Sequence, residues 1–161
     1  MAAASTLGAT SFSALSPRTA SLIQDAQALF QAKFSPELFA RSWAPNPVFI
    51  DPICYAEGTK QVTAQWAAMK AFSSSKTLQW KLTKDEPNLI EYEQKQEYKT
   101  SLFTKVMDST VVMELDDHGK IKRFEDRWNH KPISNGITYP FRRLNALMMP
   151  FISRPPPIPA Q

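Results

Sequence analysis

The spacing of apolar side chains changes near Ser75, and this change restricts the fold more than any other feature of the sequence. Before it, apolar residues recur at the three- and four-residue intervals of amphipathic helices. After it, apolar and polar residues alternate, which is typical of strands with one buried face. Helices followed by hairpin-connected strands indicate an α+β fold. We therefore predict an antiparallel sheet of about four to six strands, curved around the third helix.

Two helices with similar start signals are predicted at the beginning of the chain. Ser16-Pro17 and Ser35-Pro36 each supply a capping side chain followed by a proline, which is tolerated at the first helical position. Apolar residues at helical spacing extend the first helix from Pro17 to Phe34. The second helix is short because Pro45 and Pro47 cannot continue it.

A short strand, a loop and a third helix are predicted next. Residues 48–51 combine β-branched and aromatic side chains and stop at Pro52, which favours a brief edge strand. A loop then runs through Gly58, and Thr59 is expected to cap the third helix. The apolar stripe of this helix consists of Val62, Trp66, Met69 and Phe72.

Alternation and turn residues after Ser75 predict the strands of the sheet. A strand at 78–83 is followed by the turn Pro87-Asn88 and a second strand at 90–99. One face of the second strand is charged, and the other carries Ile90, Tyr92, Gln94, Gln96 and Tyr98. A face that is half apolar and half amide or phenol is more typical of a partly polar cavity wall than of a sealed core.

The last two strands are predicted as a hairpin with Asp116–Gly119 as its turn. Ile121 falls on the charged face of the strict alternation, so a bulge is predicted close to it. Asn135-Gly136 is expected to end the sheet.

The run from Arg123 to His130 contains the first candidate functional residue. In an extended chain, Phe124, Asp126 and Trp128 share one face. A carboxylate between two aromatic rings is costly to bury unless it is protonated, paired or used in chemistry, which makes Asp126 the candidate. The structural alternative is that Asp126 pairs with Arg127 of a neighbouring chain or with a buried amide.

A single domain is predicted at 17–152, between a disordered leader at 1–16 and a proline-rich tail at 153–161. The leader is rich in Ala, Ser and Thr and weakly resembles a transit peptide. A C-terminal helix ends the domain, and its apolar stripe consists of Phe141, Leu144, Leu147, Met148 and Phe151. Either this stripe or the outer face of the sheet is predicted to form a weak homodimer.

Charge and cysteine content narrow the possible partners. The formal charge of +4 is dispersed, with no basic run longer than Arg142-Arg143, so a nucleic-acid partner is not predicted. Cys54 is the only cysteine, which excludes an internal disulfide and favours a reducing compartment; we predict the cytoplasm. No apolar segment reaches the roughly 20 residues that a membrane span needs. No metal and no cofactor are predicted.

Two groups of residues resemble the nuclear transport factor 2-like superfamily, which includes SnoaL-like cyclases, ketosteroid isomerase and scytalone dehydratase. The first is Phe49-Ile50-Asp51-Pro52, with Glu57-Gly58 before the third helix. The second is the run from Leu115 to Ile121 leading into Glu125–Trp128, which most resembles the fungal SigF-like branch. The resemblance covers about residues 17–131. It implies a cone-shaped curved sheet around a long helix, with an internal cavity and a tendency to dimerise.

The resemblance also assigns a possible role to Asp51. In ketosteroid isomerase an Asp-Pro pair after the second helix carries the catalytic base, and Asp51-Pro52 is similar to it. That enzyme also needs a Tyr and a neutral Asp as an oxyanion hole. This sequence departs from the pattern, because its first helix contains no Tyr and Val111 falls near the position of the neutral Asp. The alternative is that Asp51 satisfies backbone donors at the end of a strand.

The leading hypothesis for function is a pocket protein that binds a small apolar or aromatic molecule. One alternative is a cofactor-free isomerase, dehydratase or cyclase in which Asp51 or Asp126 transfers a proton. Another is a dimeric interaction scaffold that docks through the helix at 142–152. The side chains predicted to line the ligand site are Tyr55, Trp66, Tyr92, Gln94, Gln96, Tyr98, Phe124 and Trp128.

Overall fold

The computed structural model describes residues 10–160. Within this range the α-helices are α1 (Pro17–Phe30), α2 (Pro36–Ser42), α3 (Thr59–Ala68) and α4 (Tyr139–Ser153). The strands are β1 (Trp43–Asp51), β2 (Cys54–Glu57), β3 (Ser74–Glu86), β4 (Leu89–Lys99), β5 (Thr104–Leu115) and β6 (Ile121–Trp128). Short 3-10 helices occur at Phe12–Ala14 and Met69–Ala71. None of the helices between residues 10 and 160 is long and apolar enough to cross a membrane.

All six strands form one curved sheet in the order β2-β1-β6-β5-β4-β3. Neighbouring strands are antiparallel except β1 and β6, which run parallel. Parallel neighbours require a long crossover, and here β2, α3 and the meander β3–β5 lie between them in the chain. The predicted α+β fold with a curved sheet is confirmed, and the parallel pair is a feature that the prediction lacked.

Phe124 of β6 lies at the centre of the hydrophobic core. Its fully buried ring contacts Trp43 and Phe49 of β1, with centroids 5.4 and 5.8 Å away. The rings of Trp66 from α3 and Phe30 from α1 lie 5.5 and 6.0 Å away. Two helices and two strands thus meet at one side chain. Because aromatic rings bury large apolar areas and favour offset or edge-on contacts, this cluster fixes α1 and α3 on the same face of the sheet.

The boundaries of two helices differ from the prediction. α1 ends at Phe30 rather than Phe34, because Ala32 adopts a left-handed conformation with φ of 60° that a helix cannot accommodate. Phe34 then packs edge-on against Phe39 at 6.2 Å. At α3 the capping residue is Gly58, with φ of 83° and no side-chain hydrogen bond, so Thr59 is the first helical residue and not the cap.

The strand predicted at 48–51 is longer than expected and does not lie at the edge of the sheet. β1 begins at Trp43 and is covered on its outer side by β2, which occupies part of the predicted loop. Pro45 and Pro47 are tolerated because the pairing with β6 is irregular between Trp43 and Val48, where a proline has no N–H to contribute. The rule that proline marks an edge strand therefore gave the wrong position for β1.

The predicted hairpin between β5 and β6 is confirmed. Gly119 donates its N–H to the carbonyl of Asp116 at 3.0 Å and has φ of 74°, a conformation that favours glycine. The register between β5 and β6 shifts between Glu114 and Leu115, which confirms the predicted bulge. Because of this shift Ile121 pairs with Leu115 and is fully buried instead of facing solvent. The sheet ends at Trp128, before the predicted Asn135-Gly136.

Residues near both ends of the predicted domain contact it. Phe12, in the part of the chain predicted as a leader, packs on Trp80 of β3 with ring centroids 4.4 Å apart. Thr10 accepts the N–H of Leu82 at 3.0 Å. In the predicted tail, Ser153 still belongs to α4, and Ile158 packs against the core. Residues 1–9 of the predicted leader lie outside the described residues.

The aromatic cluster predicts a large effect for one substitution. Phe124→Ala should lower the free energy of unfolding by about 3 to 5 kcal/mol, because it leaves a cavity among four other rings. Phe141→Ala, at a ring that is 73% exposed, should change it by less than about 0.5 kcal/mol. Urea unfolding of both variants measures the difference. Similar stability losses in the two variants would contradict the central position of Phe124.

Candidate functional site

A cavity of about 320 Å³ lies between the sheet, α3 and α4. Its wall is mainly aromatic and thioether surface from α1, β1, α3, β5 and α4, contributed by Phe30, Phe49, Trp66, Met69, Met107 and Met149. Two carboxyl groups, those of Asp51 and Asp126, also line it. An apolar cavity of this size with a few polar groups has the composition of a small-molecule site.

The two carboxyl groups are brought together by the parallel pairing of β1 and β6. Ile50 of β1 pairs with Glu125 of β6, and each of these residues immediately precedes one of the two aspartates. Because side chains alternate between the faces of a sheet, Asp51 and Asp126 both point away from the face of Glu125 and into the cavity. The parallel pair therefore positions both acids on one wall.

Asp51 is held at the end of β1 by local hydrogen bonding. Its Oδ1 accepts the backbone N–H of Ile53 at 2.8 Å, as the structural alternative for this residue predicts. Burial and, to a smaller extent, the nearby Asp126 carboxyl raise the pKa of Asp51 from 3.8 to about 7. The backbone N–H groups of Ile53 and Cys54 and the charge of Arg142 act in the opposite direction but are outweighed. Asp51 thus both caps the turn and faces the cavity.

Asp126 is fully enclosed in the sheet wall. Its Oδ2 accepts the indole N–H of Trp128 at 2.9 Å, while its Oδ1 has no partner in hydrogen-bond geometry among residues 10–160, although the Ser109 hydroxyl lies close to the carboxyl group. Burial raises the pKa of Asp126 to about 6, although Ser109 and Trp128 favour the anion. The raised pKa indicates that desolvation outweighs any compensating charge.

Within residues 10–160 Asp126 forms no ion pair, and the alternative that it pairs with Arg127 of a neighbouring chain stays a prediction. Arg127 lies on the opposite face of β6 and donates its Nε to Oε2 of Glu125 at 2.9 Å. Arg123 donates Nη2 to Oε1 of the same carboxylate at 2.8 Å. The outward face of β6 therefore has its own compensated charges, and the inward carboxyl of Asp126 is separate from them.

The structure brings three of the other predicted site residues to the cavity, namely Trp66, Tyr98 and Trp128. Burial raises the pKa of the Tyr98 hydroxyl, with smaller contributions from Asp126 and Asp51. This hydroxyl therefore stays protonated at neutral pH and can donate a hydrogen bond into the cavity. The prediction that this face of β4 forms a cavity wall holds at its Tyr98 end.

Four predicted residues on β4 and β6 do not line the cavity. Phe124 is in the aromatic core, and Tyr92 is fully buried beneath Trp80. Gln96 donates Nε2 to the carbonyl of Phe30 at 3.3 Å and accepts from Thr77 at 2.8 Å, so it joins α1 to the sheet. Gln94 is also buried, and its amide has no hydrogen-bond partner in the described part of the chain. Gln96 therefore faces the end of α1, and the other three side chains are enclosed in the interior.

Tyr55 was predicted to bind ligand, but it lies under α4. Its ring packs edge-on against Tyr139 with centroids 5.2 Å apart. Its carbonyl accepts Nη1 of Arg143 at 2.7 Å. β2 is the edge strand here, so Tyr55 serves to attach α4 to the sheet rather than to line the cavity.

Sequence analysis missed several polar residues of the cavity. Gln65 of α3, Lys105 of β5 and Asn145 of α4 all line it. The one available signal was Asn145, a polar residue within the apolar stripe of the C-terminal helix. α4 was treated only as a docking element, whereas it closes one side of the cavity.

The arrangement is suited to proton transfer and hydrogen bonding by organic groups. With pKa values of about 7 and about 6, one of Asp51 and Asp126 can be protonated while the other is ionised near neutral pH, so that one can act as an acid and the other as a base. Over residues 10–160, no three His, Cys, Asp or Glu side chains are close enough together to hold a metal ion.

Solved structures with the same fold support this architecture. An inferred isomerase of the SnoaL-like family from Agrobacterium tumefaciens matches with a TM-score of 0.57 and 18% identity, over 71% of this chain and 99% of that one. An inferred polyketide cyclase from Pseudomonas putida matches with a TM-score of 0.58 and 15% identity, over 71% and 93%. A protein with a ketosteroid isomerase-like fold from Catenulispora acidiphila, in complex with trimethylamine, matches with a TM-score of 0.52 and 12% identity, over 65% and 82%.

No protein-family model and no curated protein matches the sequence. The structural similarities nevertheless define the class: the chain has the nuclear transport factor 2-like fold of SnoaL-like and ketosteroid isomerase-like proteins. The cavity with its two carboxyl groups lies inside that fold.

The raised pKa values predict how stability depends on pH. Between about pH 4 and pH 7 the unfolded chain releases the proton of Asp51 while the folded protein retains it, so the free energy of unfolding falls as pH rises, by on the order of 3 to 4 kcal/mol. Asp51→Asn should remove this contribution and leave the smaller one of Asp126, whereas Asp117→Asn in the exposed hairpin should remove neither. Urea unfolding from pH 4 to pH 8 tests this. Parallel profiles for the wild type and Asp51→Asn would contradict it.

Proposed function

We propose that the protein binds a small apolar or aromatic molecule that carries a hydroxyl or carbonyl group. The observation that carries this proposal is the pair of buried carboxyl groups, Asp51 and Asp126, in the wall of an otherwise apolar cavity. The apolar lining supplies most of the favourable burial, and the polar groups select and orient the ligand.

The unpartnered Oδ1 of Asp126 supports a ligand with a hydrogen-bonding group. A buried polar atom without a partner costs about 1 to 3 kcal/mol, so a hydroxyl donor placed against it would recover that free energy. Tyr98 offers a donor for a carbonyl oxygen on the same ligand. A purely apolar molecule would leave both groups unsatisfied.

A second candidate function is cofactor-free isomerisation, dehydration or cyclisation. Two acids with raised pKa values near neutrality favour it, because the ionised one can remove a proton from a carbon beside a carbonyl. The developing enolate oxygen would accept a hydrogen bond from the Tyr98 hydroxyl. Val111, opposite Asp126 on β5, replaces the neutral acid of ketosteroid isomerase, so Tyr98 takes the role of donor in this proposal.

Three further assignments rest on the sequence and remain predictions. The run from Leu115 to Ile121, leading into Glu125–Trp128, resembles the fungal SigF-like branch of the superfamily. The single buried Cys54 favours the cytoplasm. A weak homodimer through α4 or the outer sheet face also stays a prediction. The scaffold function is less favoured, because an open cavity is not needed for it.

Binding can be measured with 2-naphthol, an aromatic molecule with one hydroxyl group, and with naphthalene as the matched ligand that lacks it. At pH 8 Asp126 is ionised, and Asp126→Asn should weaken 2-naphthol binding by about 1 to 3 kcal/mol because a charge-assisted hydrogen bond is lost. Naphthalene binding should be unchanged.

Asp108→Asn, at a surface residue paired with Lys95, is the control. Equal weakening of both ligands, or a large stability loss with unaltered affinity, would refute a binding role for Asp126.

Catalysis can be separated from binding with 2-tetralone in deuterated buffer. If Asp51 or Asp126 removes the proton beside the carbonyl, the protein should accelerate deuterium incorporation into the ketone, as measured by mass spectrometry. Asp51→Asn should lower this rate by about tenfold to a thousandfold while retaining 2-tetralone binding. If 2-tetralone binds but its deuterium exchange is no faster than in buffer alone, the pocket-protein function is supported. Removal of a proton from this ketone is then excluded.

A further inference from the structure

Exposed apolar side chains surround the mouth of the cavity. Ile53 and Phe103 line the cavity and are 56% and 54% exposed, so they mark its opening. Leu102, next to Phe103 in the turn between β4 and β5, is 90% exposed. These residues come from the β1–β2 turn and the β4–β5 turn, which are far apart in sequence. Solvent-facing apolar residues at such a density mark a contact surface.

α4 extends this apolar surface from the mouth along one side of the protein. Asn145 and Met149 line the cavity, and Asn145 donates Nδ2 to the carbonyl of Ile53 at 2.8 Å. Apart from Asn145, the solvent-facing side of the same helix consists of large apolar side chains. Each of them is about half exposed or more: Phe141, Leu144, Leu147, Met148, Phe151 and Ile152. We call the two turns and this side of α4 the mouth face.

Three lysines lie beside the exposed apolar side chains of the mouth face. Lys99 and Lys105 flank the exposed Leu102 and Phe103, and Lys60 lies 5.7 Å from the ring centroid of Phe151. Neither the segment 99–107 nor the segment 139–154 contains an acidic residue. An apolar face bordered by lysines is complementary to a surface that is apolar inside and negatively charged outside.

We propose that the mouth face docks on an anionic lipid surface, with Leu102, Phe103 and the exposed side of α4 inserted among the lipids. The three lysines contact the headgroups, and the cavity opens toward the bilayer. Docking of this kind needs no membrane-spanning helix, because an amphipathic helix lies in the plane of the interface.

A second copy of the chain fits this face less well. A two-fold interface places the same patch of both copies face to face, so two sets of these lysines would be brought to one interface. Like charges at an interface weaken association, whereas anionic headgroups neutralise them. The proposal does not depend on the chemistry inside the cavity.

Sedimentation with lipid vesicles tests the proposal on the full chain. We expect binding to vesicles of equimolar phosphatidylcholine and phosphatidylserine, and much weaker binding to phosphatidylcholine alone. Leu102→Glu and Met148→Glu should each lower the partition coefficient by about tenfold or more, because an inserted apolar side chain becomes charged. Leu78→Glu changes a 46% exposed apolar residue on β3 in the same way and should leave binding unchanged.

The lysines are tested by charge reversal. Lys60→Glu with Lys99→Glu should reduce binding to the anionic vesicles by more than about tenfold. The control variant, Lys33→Glu with Lys122→Glu, changes the net charge by the same amount at two exposed sites, one just after α1 and one on β6. Its effect on vesicle binding should be much smaller. All variants should still bind 2-naphthol as the wild type does, which shows that the cavity is intact and separates this test from that of the proposed function.

Three outcomes would overturn the proposal. One is an absence of binding to either type of vesicle. Another is equal loss of binding in the control variants and in the mouth-face variants. The third is a concentration-dependent dimer that Met148→Glu abolishes, without vesicle binding, since a second copy would then cover the face. Each of these results is distinguishable from a failure of 2-naphthol to bind.

Discussion

The parallel pairing of β1 with β6 is the constraint on which the rest of this structure depends. It places Phe49 beside Phe124, so that both rings reach Trp66 of α3. Two residues further along each strand, the same register places Asp51 and Asp126 at the cavity. The apolar core and the polar wall are thus consecutive layers of one strand pair. If β1 slipped by one residue relative to β6, its side chains would move to the opposite face of the sheet. Both the core contact and the polar wall would then be lost.

Such a site has an energetic cost that the aromatic layer offsets. The interior holds Asp51, Asp126, Tyr92 and the amide of Gln94, and burial disfavours the ionised form of the first three. Polar groups of this kind destabilise a fold unless hydrogen bonds compensate them. On the same two strands, the rings of Phe49 and Phe124 supply apolar burial and carry no polar atoms. The central core residue, Phe124, and the candidate site residue, Asp126, therefore lie two positions apart on β6.

Much of this architecture could be predicted from the sequence, because it depends on local signals. Three local signals predicted the sheet, the hairpin and the bulge. They are the change to a two-residue period, the Asp116–Gly119 turn, and the position of Ile121 on the charged face of the strict alternation. What could not be predicted depends on tertiary packing. Whether Gln96 faces open space or a helix is decided by where α1 ends, at Phe30, two residues before the left-handed Ala32. β2 acquires strand structure through pairing with β1, which its four residues do not signal.

α4 is attached to the rest of the fold at several points along its length. Arg142 donates to the carbonyl of Ser134 at 2.7 Å, Arg143 to that of Tyr55 at 2.7 Å, and Ser153 to that of Ala64 at 2.9 Å. Lifting this helix would break all these bonds together, a motion of microseconds or longer. Rotation of the Phe103 and Met149 side chains at the opening is far faster. If the cavity binds a molecule as proposed, rotation of side chains at the opening would admit it without movement of α4.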